Sequence, residues 1–135
     1  MATVSEIMTV HPVTVSPSDT IQQAEDIMSE ENVRQLPVVK GRELVGIVTD
    51  RDIRSFLGGR ILDSLMDRER ALQTKVAAVM TTKPVSIDPD DDFRDAVELL
   101  IDEKMGGLPV VNSDGVLVGI ITYVDALKYL VELLD

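Results

Sequence analysis

The sequence GIVTDRDI at Gly46–Ile53 decides the fold, because a near copy of it, GIITYVDA, returns at Gly119–Ala126. Each copy joins the end of an apolar run, typical of a strand, to a polar start typical of a helix. Each copy also keeps a hydroxyl and a carboxylate three residues apart. We call Thr49–Asp52 the first junction and Thr122–Asp125 the second junction.

An internal repeat extends outward from the two junctions. Residues 4–57 align with residues 76–130. The offset is 72 residues before the turn at 112–115 (76 − 4) and 73 residues after it (130 − 57). A period this long is too large for the repeat of a solenoid. The pattern therefore indicates a duplicated small domain.

The composition limits the classes of function. The chain has 135 residues, of which 44% are hydrophobic and only 3% aromatic, so the core must be aliphatic. The formal net charge of −11 argues against nucleic acid or an anionic membrane as a partner, because both require a basic surface. The absence of cysteine excludes disulfides and zinc–thiolate sites. No apolar run approaches the ~20 residues of a membrane span and no secretory signal is visible, so we expect a cytoplasmic protein.

Each copy predicts a β-α-β-β-α order behind a short leading helix. We expect the first strands at Val13–Val15 and Val85–Ile87. The final helices are expected at Asp50–Leu57, with Gly58 and Gly59 ending the first copy, and at 123–134. A copy of this length buries only a marginal core by itself, so the two copies should pack through their sheets with pseudo-twofold symmetry. The predicted class is α/β (α+β), organised as a first repeat at 1–57, a helical connector at 58–75 and a second repeat at 76–135.

The repeat resembles the cystathionine β-synthase (CBS) domain, present as a tandem pair, also called a Bateman module. The resemblance covers all of the chain except the connector. It rests on the strings MT and PV near the start, LPVV before the hairpin turn and GIVTDRD at the first junction, each with its partner in the second copy. Membership implies a regulatory module that binds AMP, ADP, ATP or S-adenosylmethionine as a signal. No nucleophile–base pair or metal cluster is visible in the sequence, so we expect no catalytic residues, no obligatory cofactor and a chain that is not an enzyme.

The resemblance also assigns site residues. Thr49, Asp52, Thr122 and Asp125 would hold the ribose and phosphate, since a carboxylate accepts from a diol and a helix N-terminus favours phosphate. Gly46 and Gly119 would permit close approach of the backbone. A slot for the base would come from the other repeat, formed for the Asp125 site by Val13, Thr14, Val15, Val33, Arg34 and Gln35, and for the Asp52 site by Val85, Ser86, Ile87, Met105, Gly106 and Gly107. Phosphate contacts are expected from Arg34, Arg51 and Arg54, with Arg34 reaching the ligand held by Asp125.

Other interpretations stay open at this point. A Thr-x-x-Asp string is also close to a capping box, in which the threonine caps the helix and the acid reaches back. The module could instead be a ligand-independent scaffold that dimerises or docks a partner protein. The single histidine and the absence of cysteine leave no His-based triad or zinc site to be built.

A homodimer is expected from the final helices. They carry more apolar residues than one narrow stripe requires, and the resemblance implies that such helices pair across a dimer. The residues in question are Leu127, Leu130, Val131, Leu133 and Leu134 in the second copy, and Ile53, Phe56 and Leu57 in the first.

Overall fold

The computed structural model describes residues 2–63 and 68–135, and describes side chains there except at 59–63. Helices and short strands alternate along the chain, as the sequence predicts. In chain order the elements are α1 (Val4–Ile7), β1 (Thr9–Val10), α2 (Ile21–Glu31), β2 (Gln35–Lys40), β3 (Glu43–Thr49), α3 (Asp50–Asp63), α4 (Arg68–Leu72), a 3-10 turn (Val76–Ala78), β4 (Thr81–Thr82), α5 (Phe93–Glu103), β5 (Gly107–Val111), β6 (Leu117–Thr122) and α6 (Tyr123–Leu134).

The chain forms two compact units, and these do not coincide with the repeats. The terminal unit comprises the residues up to Pro12, Arg42–Leu44 and Val85–Asp135, and the central unit comprises Val13–Gly41 and Val45–Pro84. The leading segment of each repeat thus lies in the unit built by the other repeat. The central unit carries the sheet β2-β3-β4, and the terminal unit carries the sheet β1-β6-β5.

The central unit is held by an aliphatic core. Helix α2 begins at a capping box, in which Gln23 N–H donates to the Thr20 hydroxyl and Thr20 N–H donates to Gln23 Oε1. The buried residues of α2 are Ile21, Ala24 and Met28. They belong to an aliphatic core that also includes Val15, Leu36, Val38, Val48, Ile53, Leu57 and Val76.

The terminal unit has its own core of the same kind. Asp92 caps helix α5 by accepting from Arg94 N–H at 3.1 Å. The Phe93 and Tyr129 rings pack edge to face with centroids 5.0 Å apart, joining α5 to α6. The buried residues are Val4, Ile87, Ala96, Leu100, Leu108, Val110 and Ile121.

The predicted first strands were wrong. Val13–Val15 and Val85–Ile87 do not form ladders; each contributes a single parallel bridge, Val15 to Val38 and Ile87 to Val110. The short outer strands are instead β1 and β4, which pair antiparallel with β6 and β3. A segment forms a ladder where the fold places it beside another strand, and its β-propensity alone does not decide this.

Two further expectations for the first repeat were wrong. Helix α3 continues through Gly58 and Gly59 to Asp63, beyond the end at Leu57 that the sequence predicts. Ile53 and Leu57 are 1% and 4% exposed in the core of the central unit, with Phe56 packed against that core, so they do not form a free pairing surface. Arg68–Arg70 of the predicted connector are exposed, as expected, while residues 64–67 of that prediction lie outside the described residues.

Among the described residues, no helix is long and apolar enough to cross a membrane.

Candidate functional site

The first junction stands where β3 gives way to α3. Thr49 N–H donates to Asp52 Oδ2 at 3.1 Å, and Asp52 N–H donates back to the Thr49 hydroxyl at 3.1 Å. This is the reciprocal arrangement of a capping box. Asp52 Oδ1 has no hydrogen-bond partner within the described parts of the chain, and the carboxylate is half-buried. The cap therefore holds Asp52 in place and leaves one of its oxygens available.

The second junction repeats this arrangement at the start of α6 with additional bonds. Asp125 Oδ2 accepts from Thr122 N–H at 2.9 Å and from the Thr122 hydroxyl at 3.0 Å. Asp125 N–H donates to the same hydroxyl at 3.2 Å. Asp125 Oδ1 accepts from the Thr9 hydroxyl at 2.9 Å. Both carboxylate oxygens of Asp125 are thus engaged.

Thr9 is a site-adjacent residue to which the sequence analysis assigned no role. Its MT string recurs at Met80–Thr81, and that recurrence was visible in the sequence. The hydrogen bond from Thr9 to Asp125 spans 116 positions of sequence, so it became evident only from the pairing of β1 with β6.

The two glycines of the junction strands serve this strand pairing. A Cβ on Gly46 would lie 2.8 Å from the Thr81 carbonyl oxygen and 2.8 Å from Met80 Sδ. A Cβ on Gly119 would lie 2.8 Å from the Thr9 carbonyl oxygen. The close approach predicted at these positions is made by the chain's own outer strands.

The predicted base-slot residues of the central unit differ in exposure. Val13, Thr14 and Val33 are half-buried. Val15 is 2% exposed, and its N–H and carbonyl are both bonded to β2, so in this conformation it serves the fold. The side-chain nitrogen of Gln35 is buried and has no hydrogen-bond partner among the described residues.

The predicted base-slot residues of the terminal unit also include both exposed and buried positions. Val85, Ser86 and Gly106 are exposed, and Met105 is half-buried. Ile87 is 5% exposed, and its N–H and carbonyl are bonded to β5. Gly107 is buried and pairs with Thr122 at the start of the second junction.

The three predicted phosphate-binding arginines all lie in the central unit and are exposed. Arg54 lies 3.7 Å from Asp50 in an ion pair one helical turn apart. The Arg34 carbonyl accepts from Asp50 N–H at 2.9 Å, which fixes the loop before β2 against the start of α3. Arg51 and Arg54 thus lie within the first five residues of the helix that begins at the first junction.

A cavity of about 180 Å³ lies beside the second junction, within the terminal unit. It is lined by Glu6, Ile7, Asp125, Lys128, Tyr129 and Glu132. The volume is below the roughly 300–1,000 Å³ of small-molecule sites. Among the described residues there is no group of acids, histidine and cysteine able to hold a metal ion.

The fold and the two junctions define the chain as a tandem pair of one small α/β domain. The chain belongs to the CBS domain family, whose model matches it twice, at residues 4–59 and 76–132. The crystal structure of CBSX2 in complex with AMP superimposes with a TM-score of 0.86 at 30% identity and covers all of both chains. CBSX2 is a CBS-pair protein from Arabidopsis thaliana.

Among curated relatives, the CBS domain-containing protein YhcV of Bacillus subtilis is 39% identical over 127 residues, covering 93% of this chain and 83% of YhcV. Inosine-5'-monophosphate dehydrogenase from Korarchaeum cryptofilum is 34% identical over 113 residues. That match covers 84% of this chain but only 21% of the dehydrogenase. The likeness to the dehydrogenase is therefore a likeness to one part of it.

Proposed function

We propose that this chain binds an adenosine-containing ligand, AMP, ADP, ATP or S-adenosylmethionine, at its junctions, and signals the ligand's presence by a conformational change. The observation that carries the proposal is the Asp52 carboxylate, held by the cap at the start of α3 with Oδ1 left unpartnered among the described residues. An ionised carboxylate in that state can accept strong hydrogen bonds from ribose hydroxyls. The AMP complex of CBSX2, a protein that matches this chain end to end, supports an adenosine ligand.

Most residues predicted for the site have a place in the proposal, the exceptions being the buried members of the base slot. Asp52 and Asp125 would accept from the ribose, and Thr49 and Thr122 stand at helix starts whose N–H groups favour phosphate. The exposed arginines 34, 51 and 54 would neutralise phosphate charge. The exposed or half-buried members of the base slot, such as Val33 and Met105, remain the residues proposed to contact the base.

Calorimetric titration with AMP, ADP, ATP, S-adenosylmethionine and adenosine tests the proposal. We expect at least one of these ligands to bind, and at 100 times its dissociation constant to add about 2.7 kcal/mol to the free energy of unfolding. Absence of binding to every ligand at millimolar concentration would reject the proposal.

The variants Asp52→Ala and Asp125→Ala separate ligand binding from helix capping. If the carboxylates hold ribose, removing one hydrogen-bonded charge should weaken its site by roughly 1.5–3 kcal/mol, about tenfold to hundredfold in affinity. If they act only as caps, the variants should lose about 1 kcal/mol of stability and bind ligand unchanged. Melting temperature and affinity measured on the same samples distinguish the two outcomes.

A scaffold role is the second candidate, and helix α6 favours it. Tyr123, Leu127, Leu130, Val131 and Leu133 of α6 are 48–64% exposed, and no residue of this helix is buried. A helix so apolar is expected to be covered in its working state. We propose that a second copy of the chain covers it, forming a homodimer.

A further inference from the structure

We infer that the two junctions are not equivalent: the first is open to both hydroxyls of a ribose, whereas Thr9 occupies part of the acceptor capacity of the second. This inference rests on the proposed function, because it takes Asp52 and Asp125 as carboxylates that bind ribose.

The difference is not caused by a different backbone framework. In each unit the junction strand pairs with a short outer strand at the same register, with Thr9 opposite Ile120 and Thr81 opposite Ile47. Thr9 donates its hydroxyl to the junction carboxylate at 2.9 Å. Thr81 has no side-chain hydrogen bond to any residue that the structure describes. Two threonines at equivalent positions therefore behave differently toward their carboxylates.

The hydrogen bonds can be counted against the capacity of a carboxylate, which is about four acceptor positions. Asp125 accepts three bonds, two from Thr122 and one from Thr9, so about one position remains. Asp52 accepts one bond, from Thr49 N–H, so about three positions remain. A ribose diol donates two hydrogen bonds. Asp52 can accept both as it stands, and Asp125 can accept both only if Thr9 turns away.

The threonine hydroxyls differ in the same direction. The Thr122 hydroxyl donates its proton to Asp125. The Thr49 hydroxyl accepts from Asp52 N–H, and its own proton has no acceptor among the described residues. The first junction thus keeps a hydroxyl donor for a phosphate oxygen as well as free acceptors for the ribose.

The consequence is a difference in affinity that depends on Thr9. A ligand hydroxyl that displaces Thr9 exchanges one hydrogen bond to Asp125 for another of the same kind, so the exchange contributes little to binding. At Asp52 the same hydroxyl meets an oxygen that accepts no hydrogen bond from the described residues. We expect an adenosine ligand to fill the first junction at lower concentration than the second, and Thr9 to set the affinity of the second.

The test measures each junction alone by titrating AMP into variants that keep one carboxylate. Asp125→Ala, which keeps the first junction, should bind more tightly than Asp52→Ala, which keeps the second. Adding Thr9→Val to Asp52→Ala should tighten AMP binding by about fivefold to tenfold, because the competing donor is removed. Thr9→Ser, which keeps the hydroxyl, and Thr81→Val, the equivalent position of the other unit, should leave the affinity of Asp52→Ala unchanged.

An affinity that stays the same or weakens with Thr9→Val would overturn the inference, since it would mean that Thr9 is irrelevant or orients Asp125 for the ligand. A measurement on the ligand side gives a second check. With only Asp52 present, 2′-deoxy-AMP and 3′-deoxy-AMP should both bind more weakly than AMP. With only Asp125 present, one of the two should bind like AMP, and weakening by both analogues there would also overturn the inference.

Failure of the proposed function gives a different result. In that case the unmodified chain binds none of the adenosine ligands, whereas failure of this inference leaves binding intact and independent of Thr9.

Discussion

The buried amide of Gln35 is a cost that a single substitution can reveal. Its side-chain nitrogen is buried without a partner among the described residues, and such a group loses its bonds to water without replacement. We expect Gln35→Met, which keeps the length of the side chain and removes the polar atoms, to raise the free energy of unfolding by about 1 kcal/mol. Urea denaturation of the unliganded protein measures this change.

Gln22 offers a matched control in the same unit. Its amide donates to Asp26 Oδ1 at 3.0 Å on the exposed face of α2. Gln22→Met should therefore lower the free energy of unfolding by a few tenths of a kcal/mol, which is the usual contribution of one side-chain pair on a helix surface. A lower stability for Gln35→Met than for Gln22→Met would show that the Gln35 amide is satisfied in solution.

Individual residues could be predicted from the sequence where their partners are close along the chain. The capping bonds within Thr49–Asp52 and Thr122–Asp125 follow from a spacing of three residues. Both form as the capping-box interpretation of the sequence predicts. The bond from Thr9 to Asp125 could not be predicted, because it depends on which strand the leading segment joins. The buried state of the Gln35 amide likewise depends on tertiary packing.

At the scale of elements, the junction strands are restricted by the strands beside them. A methyl group at Gly119 would lie 2.8 Å from the Thr9 carbonyl oxygen, which is backbone and has little freedom to move. We expect Gly119→Ala to cost about 1–3 kcal/mol, as overpacking in a well-packed region does, and Gly46→Ala to cost a similar amount. Thermal or urea unfolding of the variants measures the loss.

Gly58 is the control for this pair of substitutions. It lies inside α3, and a Cβ there would have nothing within 4 Å. Gly58→Ala should therefore stabilise the protein by up to about 1 kcal/mol through helix propensity alone. Equal effects at positions 58 and 119 would contradict the close packing of β1 against β6.

The hairpin strands and the helices after them could be predicted from apolar runs and turn residues, whereas other boundaries could not. A glycine ends a helix when it adopts a positive φ. Gly58 does not adopt a positive φ, so helix α3 continues through it. Positive φ occurs at Gly41 and Gly115 among the described glycines. The segments at Val13 and Val85 have the composition of strands, but each makes only one bridge, to β2 and to β5 respectively, while β4 and β1 form the ladders beside β3 and β6.

At the scale of the whole molecule, the exposed face of α6 predicts association. Leu130 and Val131 are 48% and 59% exposed in a helix without a buried residue. We expect the chain to be a dimer of 14.8 kDa subunits at micromolar concentration. A charge at Leu130 would be costly in a covered interface, so Leu130→Glu should shift the protein toward the monomer, as measured by light scattering.

Ile101 of α5 provides the matched surface position, since it is 67% exposed and lies in the same unit. Ile101→Glu should leave the mass in solution unchanged. A monomeric unmodified protein, or a Leu130→Glu variant that remains fully dimeric, would contradict a dimer formed through α6.

The exchanged leading segments bear on how a duplicated chain of this kind could arise. Strand β1 completes the sheet built by the second repeat, and β4, which opens the second repeat, completes the sheet built by the first. A polypeptide with one repeat would leave the edge of its sheet bare unless a second molecule lent its opening residues, as in domain swapping. When two copies are joined in one gene, the strand pairing between molecules becomes a pairing within one molecule. Its formation then no longer depends on protein concentration.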